Sequence, residues 1–150
     1  MELKRSKGFT LIELLVSMGI ITTLIAIVLV AINPARQFAL SNNTKRRSDV
    51  VAILSAIQQY IVANRGVAPV GISTSVLTIE KSGGVDLCAL LVTTYIAALP
   101  VDPLTNSGTS VTDCTSAYNT NYTIIKSAID SRLTVSAPAA ELGASVSATQ

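Results

Sequence analysis

The most pronounced pattern along the chain is an apolar run of 24 residues from Phe9 to Ile32, in which Glu13 is the only charged residue. At a helical rise of about 1.5 Å per residue the run is about 36 Å long, against a hydrocarbon core of about 30 Å. It therefore predicts one membrane-spanning helix. Pro34 lacks a backbone N–H and is predicted either to kink this helix or to mark its exit from the membrane.

The segment from Ala35 to about Arg65 is predicted to continue as an amphipathic helix. Its apolar residues recur at three- and four-residue spacing, which places them on one stripe: Val50, Ile53, Leu54, Ile57, Tyr60 and Ile61. Gly66 and Pro69 are predicted to end this helix.

Shorter patterns fill the C-terminal half of the chain. Val70–Gly84 is rich in Ser, Thr and Gly and is predicted to be a connecting loop, whereas Val85–Ala98 has helical spacing and is predicted to be a short second helix. Alternating residues in Tyr118–Ile125 and Arg132–Ser136 predict an antiparallel hairpin. The small, polar tail Pro138–Gln150 is expected to be mobile or a weak edge strand.

These elements predict an α+β fold. A long N-terminal helix, with a membrane-spanning half and an amphipathic half, would pack on a small antiparallel β-sheet, because two strands alone are only marginally stable in water. Residues 9–33 would form the membrane-spanning part, and residues 34–150 would form one modest extracytoplasmic domain that includes the second half of the long helix.

The charge distribution assigns a topology to this arrangement. The formal net charge of +2 is that of residues 1–8, which hold Lys4, Arg5 and Lys7 against Glu2, so the rest of the chain is formally neutral. Lys and Arg beside a spanning helix stay on the cytoplasmic side, which predicts an N-terminus inside and a domain outside.

A basic triplet, Lys45, Arg46 and Arg47, raises the question of nucleic-acid binding. The neutral remainder of the chain and the lack of aromatic residues among these charges argue against a nucleic-acid partner. We expect instead a solvated helix face, or pairing with acidic residues of neighbouring subunits.

Cys88 and Cys114 are the only cysteines, and both lie in the part predicted to face outward. In an oxidising compartment such a pair predicts one disulfide, with 25 residues between the cysteines. Two free buried thiols are the alternative. The polar neighbours of both residues favour the disulfide.

The segment Lys7-Gly8-Phe9-Thr10-Leu11-Ile12-Glu13-Leu14-Leu15-Val16 resembles the class III signal of type IV pilins and pseudopilins. A secretory signal peptide has a shorter apolar region without an acid, and an ordinary membrane anchor does not account for Glu13. The resemblance implies the pilin fold and a leader, residues 1–8, that prepilin peptidase removes by cutting between Gly8 and Phe9.

The resemblance also implies roles for single residues. The peptidase would methylate the new amino group of Phe9, and Glu13 would form an assembly salt bridge with that amine, within its own helix or on a neighbouring subunit. Pro34 lies near the position where family members carry a helix-weakening residue. A second, shorter resemblance, Ala98-Leu99-Pro100-Val101-Asp102-Pro103, matches a junction of major pseudopilins and of some pilins.

The function implied is that of a structural subunit of a type IV pilus, serving adhesion, motility or DNA uptake. The alternatives are a major pseudopilin of a type II secretion system and, from the residues alone, a membrane-anchored binding ectodomain. The expected partners are copies of the chain in a helical filament, prepilin peptidase, the inner-membrane assembly platform, and membrane lipid before assembly. The subunit would reside in the cytoplasmic membrane before assembly and in a surface pilus afterwards.

Catalytic chemistry is not expected, because histidine is absent and no catalytic pair or phosphate-binding loop is evident. No cofactor or metal is assigned. Asp102 and Asp113 could bind calcium, as major pseudopilins do in the corresponding loop, but two acids are few for an ion that takes six to eight oxygens.

Overall fold

The computed structural model describes residues 8–150, and the chain divides into two compact units, Met1–Phe38 and Ala39–Gln150. The first unit contains helix α1 (Leu11–Ile32) and the start of helix α2 (Pro34–Ala63). Helix α1 has 22 residues and is long and apolar enough to cross a membrane. The apolar run thus forms the helix that its pattern predicted.

Within the second unit, one stripe of α2 provides the helical side of the core. The predicted stripe is confirmed, with four fully buried members and with Tyr60 and Ile61 half-buried at its end: Val50, Ile53, Leu54 and Ile57. The same stripe extends towards the N-terminus of α2 through Ala39, Asn43 and Arg46, which are also buried. Two polar residues therefore occupy positions that the helical period assigns to the core.

A four-stranded antiparallel sheet forms the other side of that core. Its strands are β1 (Leu77–Glu80), β2 (Asn119–Lys126), β3 (Leu133–Ser136) and β4 (Ser147–Thr149), in the order β1-β2-β3-β4. The predicted hairpin is confirmed as β2 and β3, and of the two expectations for the tail the edge strand is observed as β4. The predicted α+β arrangement of a long helix and a small antiparallel sheet is confirmed.

The register of the sheet aligns its apolar residues on the face that joins the core. Ile124 of β2 pairs with Leu77 of β1 and with Val135 of β3, and Val135 pairs with Ala148 of β4. Alternate residues of β2, including Tyr122 and Ile124, are buried, as expected for a strand with one face on the core.

The prediction of a continuous loop over Val70–Gly84 was wrong, because this segment contains β1. The backbone N–H of Val85 donates to the carbonyl of Thr78 at 2.8 Å, which covers the outer edge of β1. A Cβ on Gly84 would lie 2.0 Å from that carbonyl oxygen, so only glycine permits this approach. Four residues paired to a distant strand are too short a pattern to recognise locally.

The predicted second helix over Val85–Ala98 was also wrong in its extent. Only Cys88–Leu91, here α3, is helical. Val92 is extended, and Thr93 is left-handed with φ 71°, its N–H donating to the carbonyl of Ile96. The β-branched sequence Val92-Thr93-Thr94 has low helix propensity, which agrees with a helix that ends after one turn.

Candidate processing and assembly segment

Helix α1 begins with a reciprocal capping arrangement between Thr10 and Glu13. The hydroxyl oxygen of Thr10 accepts from the backbone N–H of Glu13 at 3.3 Å, and the Glu13 carboxylate accepts from the backbone N–H of Thr10 at 2.8 Å. This capping box satisfies backbone donors that the first turn of a helix leaves unpaired. Glu13 therefore caps its own helix through Thr10, a structural role that is separate from the assembly role predicted for it.

The Glu13 carboxylate uses one of its two oxygens in this arrangement. Both the N–H and the hydroxyl of Thr10 donate to Oε2 at 2.8 Å. Among the described residues, no hydrogen bond reaches Oε1. The Thr10 hydrogen bonds orient the carboxylate and leave Oε1 available to a further donor.

Gly8 and Phe9, the two residues of the predicted scissile bond, precede the cap and are not helical. Phe9 is 85% exposed, and among the described residues, its chain neighbours aside, no atom lies within 4 Å of a Cβ built on Gly8. The described residues therefore do not cover the bond between them. Residues 1–7 of the predicted leader, with Lys4, Arg5 and Lys7, lie outside the described residues.

The polar side chains inside α1 are satisfied by the helix itself. The hydroxyls of Ser17, Thr22 and Thr23 donate to backbone carbonyls three or four residues earlier, those of Leu14, Met18 and Gly19. No residue of α1 is buried. After the first turn, α1 therefore presents an uncharged and largely apolar surface on all sides.

The chain between α1 and α2 turns at Asn33, directly before Pro34. Asn33 is left-handed (φ 47°, ψ 79°) and ends α1, while its carbonyl accepts from the N–H groups of Arg36 and Gln37 at the start of α2. Pro34 is the first residue of α2, where its missing N–H is no loss. The predicted kink site thus lies at a break in the helical conformation.

This N-terminal segment was compared with known protein families. Residues 3–32 match the family model described as the prokaryotic N-terminal methylation motif. The chain carries a prepilin-type N-terminus. The motif is characteristic of type IV pilins and pseudopilins, and the N-terminal helix fits a membrane anchor of the kind that prepilins carry. No curated protein and no solved structure shows significant similarity to it.

The second unit contains the disulfide that its two cysteines predicted. Cys88 in α3 and Cys114, before β2, are bonded, with their Cα atoms 5.3 Å apart. Beside this bond, Lys81 donates to the carbonyl of Cys114 at 2.8 Å and pairs with Asp86 at 3.0 Å. Although burial alone would raise the pKa of Asp86, hydrogen bonds from Tyr118 and Lys81 outweigh it and lower that pKa.

The two acids considered for calcium have different surroundings. Asp102 is buried and paired with Arg46, whereas Asp113 is exposed and accepts from Ser116 and Thr115. These hydrogen bonds lower the pKa of Asp113 to about 2. In the described part of the chain, no three His, Cys, Asp or Glu residues are grouped as metal ligands would be.

Arg46 is the centre of a buried polar cluster in the second unit. Its guanidinium contacts the carboxylates of Asp102 (2.6 Å) and Glu141 (2.8 Å) and the amide oxygen of Asn43 (3.0 Å). The Asp102 hydrogen bond raises the pKa of Arg46, and the Arg46 hydrogen bond, followed by that of Asn42, lowers the pKa of Glu141. The expectation of a solvated face, or of pairing between subunits, was therefore wrong for Arg46.

The capping box and the burial of Arg46 were not predicted, although the sequence contains a signal for each. Thr10 and Glu13 have the spacing of a capping box, Thr-x-x-Glu, directly before an apolar run. Arg46 lies four and seven residues before Val50 and Ile53, so the period of the apolar stripe already placed it on the buried face.

Proposed function

We propose that this chain is a subunit of a type IV pilus, cut between Gly8 and Phe9 by prepilin peptidase and methylated at Phe9. The observation that carries the proposal is the methylation motif at residues 3–32, which includes helix α1, and no residue of α1 is buried within the described part of the chain. Such a helix needs an apolar environment, which a bilayer provides before assembly and a helical filament core afterwards. The filament would consist of copies of this chain, recruited through an inner-membrane assembly platform.

Cleavage gives Glu13 a second task in this proposal. The new α-amine of Phe9 titrates near pH 8 and is mostly cationic at neutral pH. It would begin a helix whose first carboxylate accepts from Thr10 at Oε2, while Oε1 accepts no hydrogen bond from the described residues. Pairing with the amine of a neighbouring subunit would neutralise both charges in the filament core and define the axial step between subunits.

The test of processing is intact-mass measurement on the chain extracted from membranes, with and without a co-expressed prepilin peptidase. We expect a product that starts at Phe9 and carries one added methyl group, only when the peptidase is present. The matched control is Gly8→Val. Its side chain meets no described residue of the protein but adds bulk at the predicted scissile bond, so this variant should retain the leader. A wild-type chain that keeps its leader beside the peptidase would favour a plain membrane-anchored ectodomain.

A pseudopilin of a type II secretion system is the second candidate, favoured by the junction Ala98–Pro103. The two assemblies differ in location and export, since a pilus extends from the cell surface and a pseudopilus serves secretion. Imaging of surface filaments, with an assay of secreted proteins, in cells that carry or lack this chain would separate them. If cells that lack the chain have no surface filaments but secrete proteins normally, the result supports a pilus subunit.

A further inference from the structure

A half-open cavity of about 410 Å³ lies in the second compact unit, between the loop after Pro103 and the start of β2. Its size is within the range of small-ligand sites in proteins. Most of its lining residues carry hydroxyl or amide groups. The lining residues used in the argument below are Thr105, Asn106, Ser110, Thr112, Asp113 and Tyr118.

The walls of this cavity are fixed by contacts on several sides. The Cys88–Cys114 disulfide holds the residue next to Asp113, and two backbone hydrogen bonds of 2.8 Å join Val111 to Leu99. In the turn that contains the lining residue Asn106, Gly108 is left-handed (φ 66°), and a Cβ there would lie 3.3 Å from the Cα of Pro103. A site with such walls loses little conformational freedom when a ligand binds.

Several polar side chains of the lining have no partner within the protein. In the chain from Gly8 to Gln150, no hydrogen bond is made by the side chains of Thr105, Asn106, Ser110 or Thr112. Asn106 is moreover held in a left-handed conformation (φ 48°). By contrast, the hydroxyl of Tyr118 donates to Asp86 at 2.7 Å and is already used, which leaves its ring to contact a ligand. Three hydroxyls and one amide thus remain as donors and acceptors.

The charge of the cavity restricts the class of ligand. Asp113 is its only charged lining residue, and the hydroxyls of Thr115 and Ser116 donate to its two carboxylate oxygens at 2.6 Å. A single carboxylate is too few for a calcium ion, and the lining has no cation to attract an anion. The unpartnered hydroxyls and amide would in turn be costly to cover with a purely apolar ligand.

We propose that this cavity binds a neutral carbohydrate. Sugar hydroxyls are both donors and acceptors, as are the side chains of Ser110, Thr112 and Asn106, and the C–H face of a sugar ring can pack on the ring of Tyr118. The site lies within Ala39–Gln150 and does not depend on cleavage at Gly8 or on filament formation.

The test uses the full-length chain in a polyoxyethylene detergent, because the headgroup of an alkyl glycoside could itself occupy the cavity. The chain is applied to an array of neutral oligosaccharides of hexoses and N-acetylhexosamines, with sialylated and sulfated oligosaccharides on the same array. We expect binding to neutral members. Affinity for the best of them is then measured for the wild type and for variants by titration calorimetry.

Ser110→Ala and Thr112→Val each remove one hydroxyl from the lining, and each should weaken binding about fivefold. Thr109→Val is the matched control, because Thr109 is exposed in the same loop but does not line the cavity, and its affinity should equal that of the wild type. All three substitutions are on exposed residues, and an unchanged melting temperature verifies the fold.

Three outcomes of the oligosaccharide measurements would overturn the proposal. They are no retention on any neutral oligosaccharide, binding to acidic members alone, and binding that Ser110→Ala and Thr112→Val leave unchanged. Calcium chloride is titrated separately, and saturable calcium binding that Thr112→Val weakens while Thr109→Val does not would assign the cavity to a cation instead.

Discussion

The guanidinium of Arg46 and the carboxylate of Asp102 form a buried two-point ion pair between residues 56 positions apart in the chain. Nε lies 2.6 Å from Oδ2 and Nη2 lies 3.2 Å from Oδ1. Glu141 and Asn43 complete the coordination of the guanidinium. One side chain of α2 thereby holds both the segment before the cavity loop and the loop before β4.

Removing one partner of this ion pair should strongly destabilise the second unit. Arg46→Met leaves the Asp102 carboxylate buried without its counter-charge, and we expect a loss of about 3–5 kcal/mol in the free energy of unfolding. Urea unfolding of the full chain in detergent micelles, followed by near-ultraviolet circular dichroism, measures it. The control is Arg47→Met, on the exposed neighbour, which should change stability by less than about 0.5 kcal/mol.

The double variant Arg46→Met, Asp102→Leu tests the same pair from the other direction. It removes both charges, so the penalty of a lone buried charge disappears, and we expect it to be more stable than Arg46→Met alone. A double variant whose loss equals the sum of the two single losses would show that the two side chains do not interact.

The stability of the second unit should fall in acid through Glu141. Its hydrogen bond from Arg46 lowers its pKa below the ordinary value of 4.5, so the folded state favours the ionised form. That contribution is complete above about pH 4.5 and is lost as the pH falls through the lowered pKa of the folded state. In unfolding experiments from pH 7 to pH 3, Glu141→Gln should show a shallower decline than the wild type.

Asp49 provides a comparison of opposite sign. Its partial burial raises its pKa above the ordinary 3.8, although the Tyr122 hydroxyl donates to it at 2.8 Å and opposes this shift. The folded state therefore holds the proton more tightly than the unfolded state, and acidification adds stability at this site. Asp49→Asn should make the acid-side decline steeper, and equal slopes for both variants would contradict the assignment.

The assembly role proposed for Glu13 can be separated from its capping role. Glu13→Val removes the carboxylate, and we expect normal insertion and cleavage but few filaments by electron microscopy. Thr10→Ala removes only the capping hydroxyl, which costs a helix about 0.5–2 kcal/mol, and should leave filament numbers close to normal. Equal losses in both variants would indicate that the cap, and not the charge, matters.

The Cys88–Cys114 disulfide should stabilise the second unit by about 3 kcal/mol, because it restricts a loop of this length in the unfolded chain. We expect Cys88→Ser with Cys114→Ser to lower the melting temperature as reduction of the wild type does. A reducing agent should then have no further effect on the double variant. If reduction left the melting temperature of the wild type unchanged, the disulfide would not stabilise the second unit.

Local pattern predicted the helical and hairpin parts of this fold because those elements form from neighbouring residues. The apolar run became α1, the stripe from Val50 to Ile57 became the helical side of the core, and Tyr122 and Ile124 alternate as a half-buried strand does. The segments that failed, β1 and the extent of α3, are short. The conformation of β1 depends on a partner far along the chain, Ile124 for Leu77, whereas α3 ends at a local β-branched sequence whose effect its helical spacing hides.

The sequence by itself determined the N-terminal segment, because the methylation motif and the apolar run of α1 are both defined by adjacent residues, here within residues 3–32. Only the tertiary structure decided the ion-pair partners of Arg46 and the surroundings of Asp102 and Asp113. One acid is buried in an ion pair, and the other lies at the rim of a cavity lined by hydroxyls. The physical reason is that a charge can be buried only where its counter-charge arrives, and that position is set by the packing of the whole second unit.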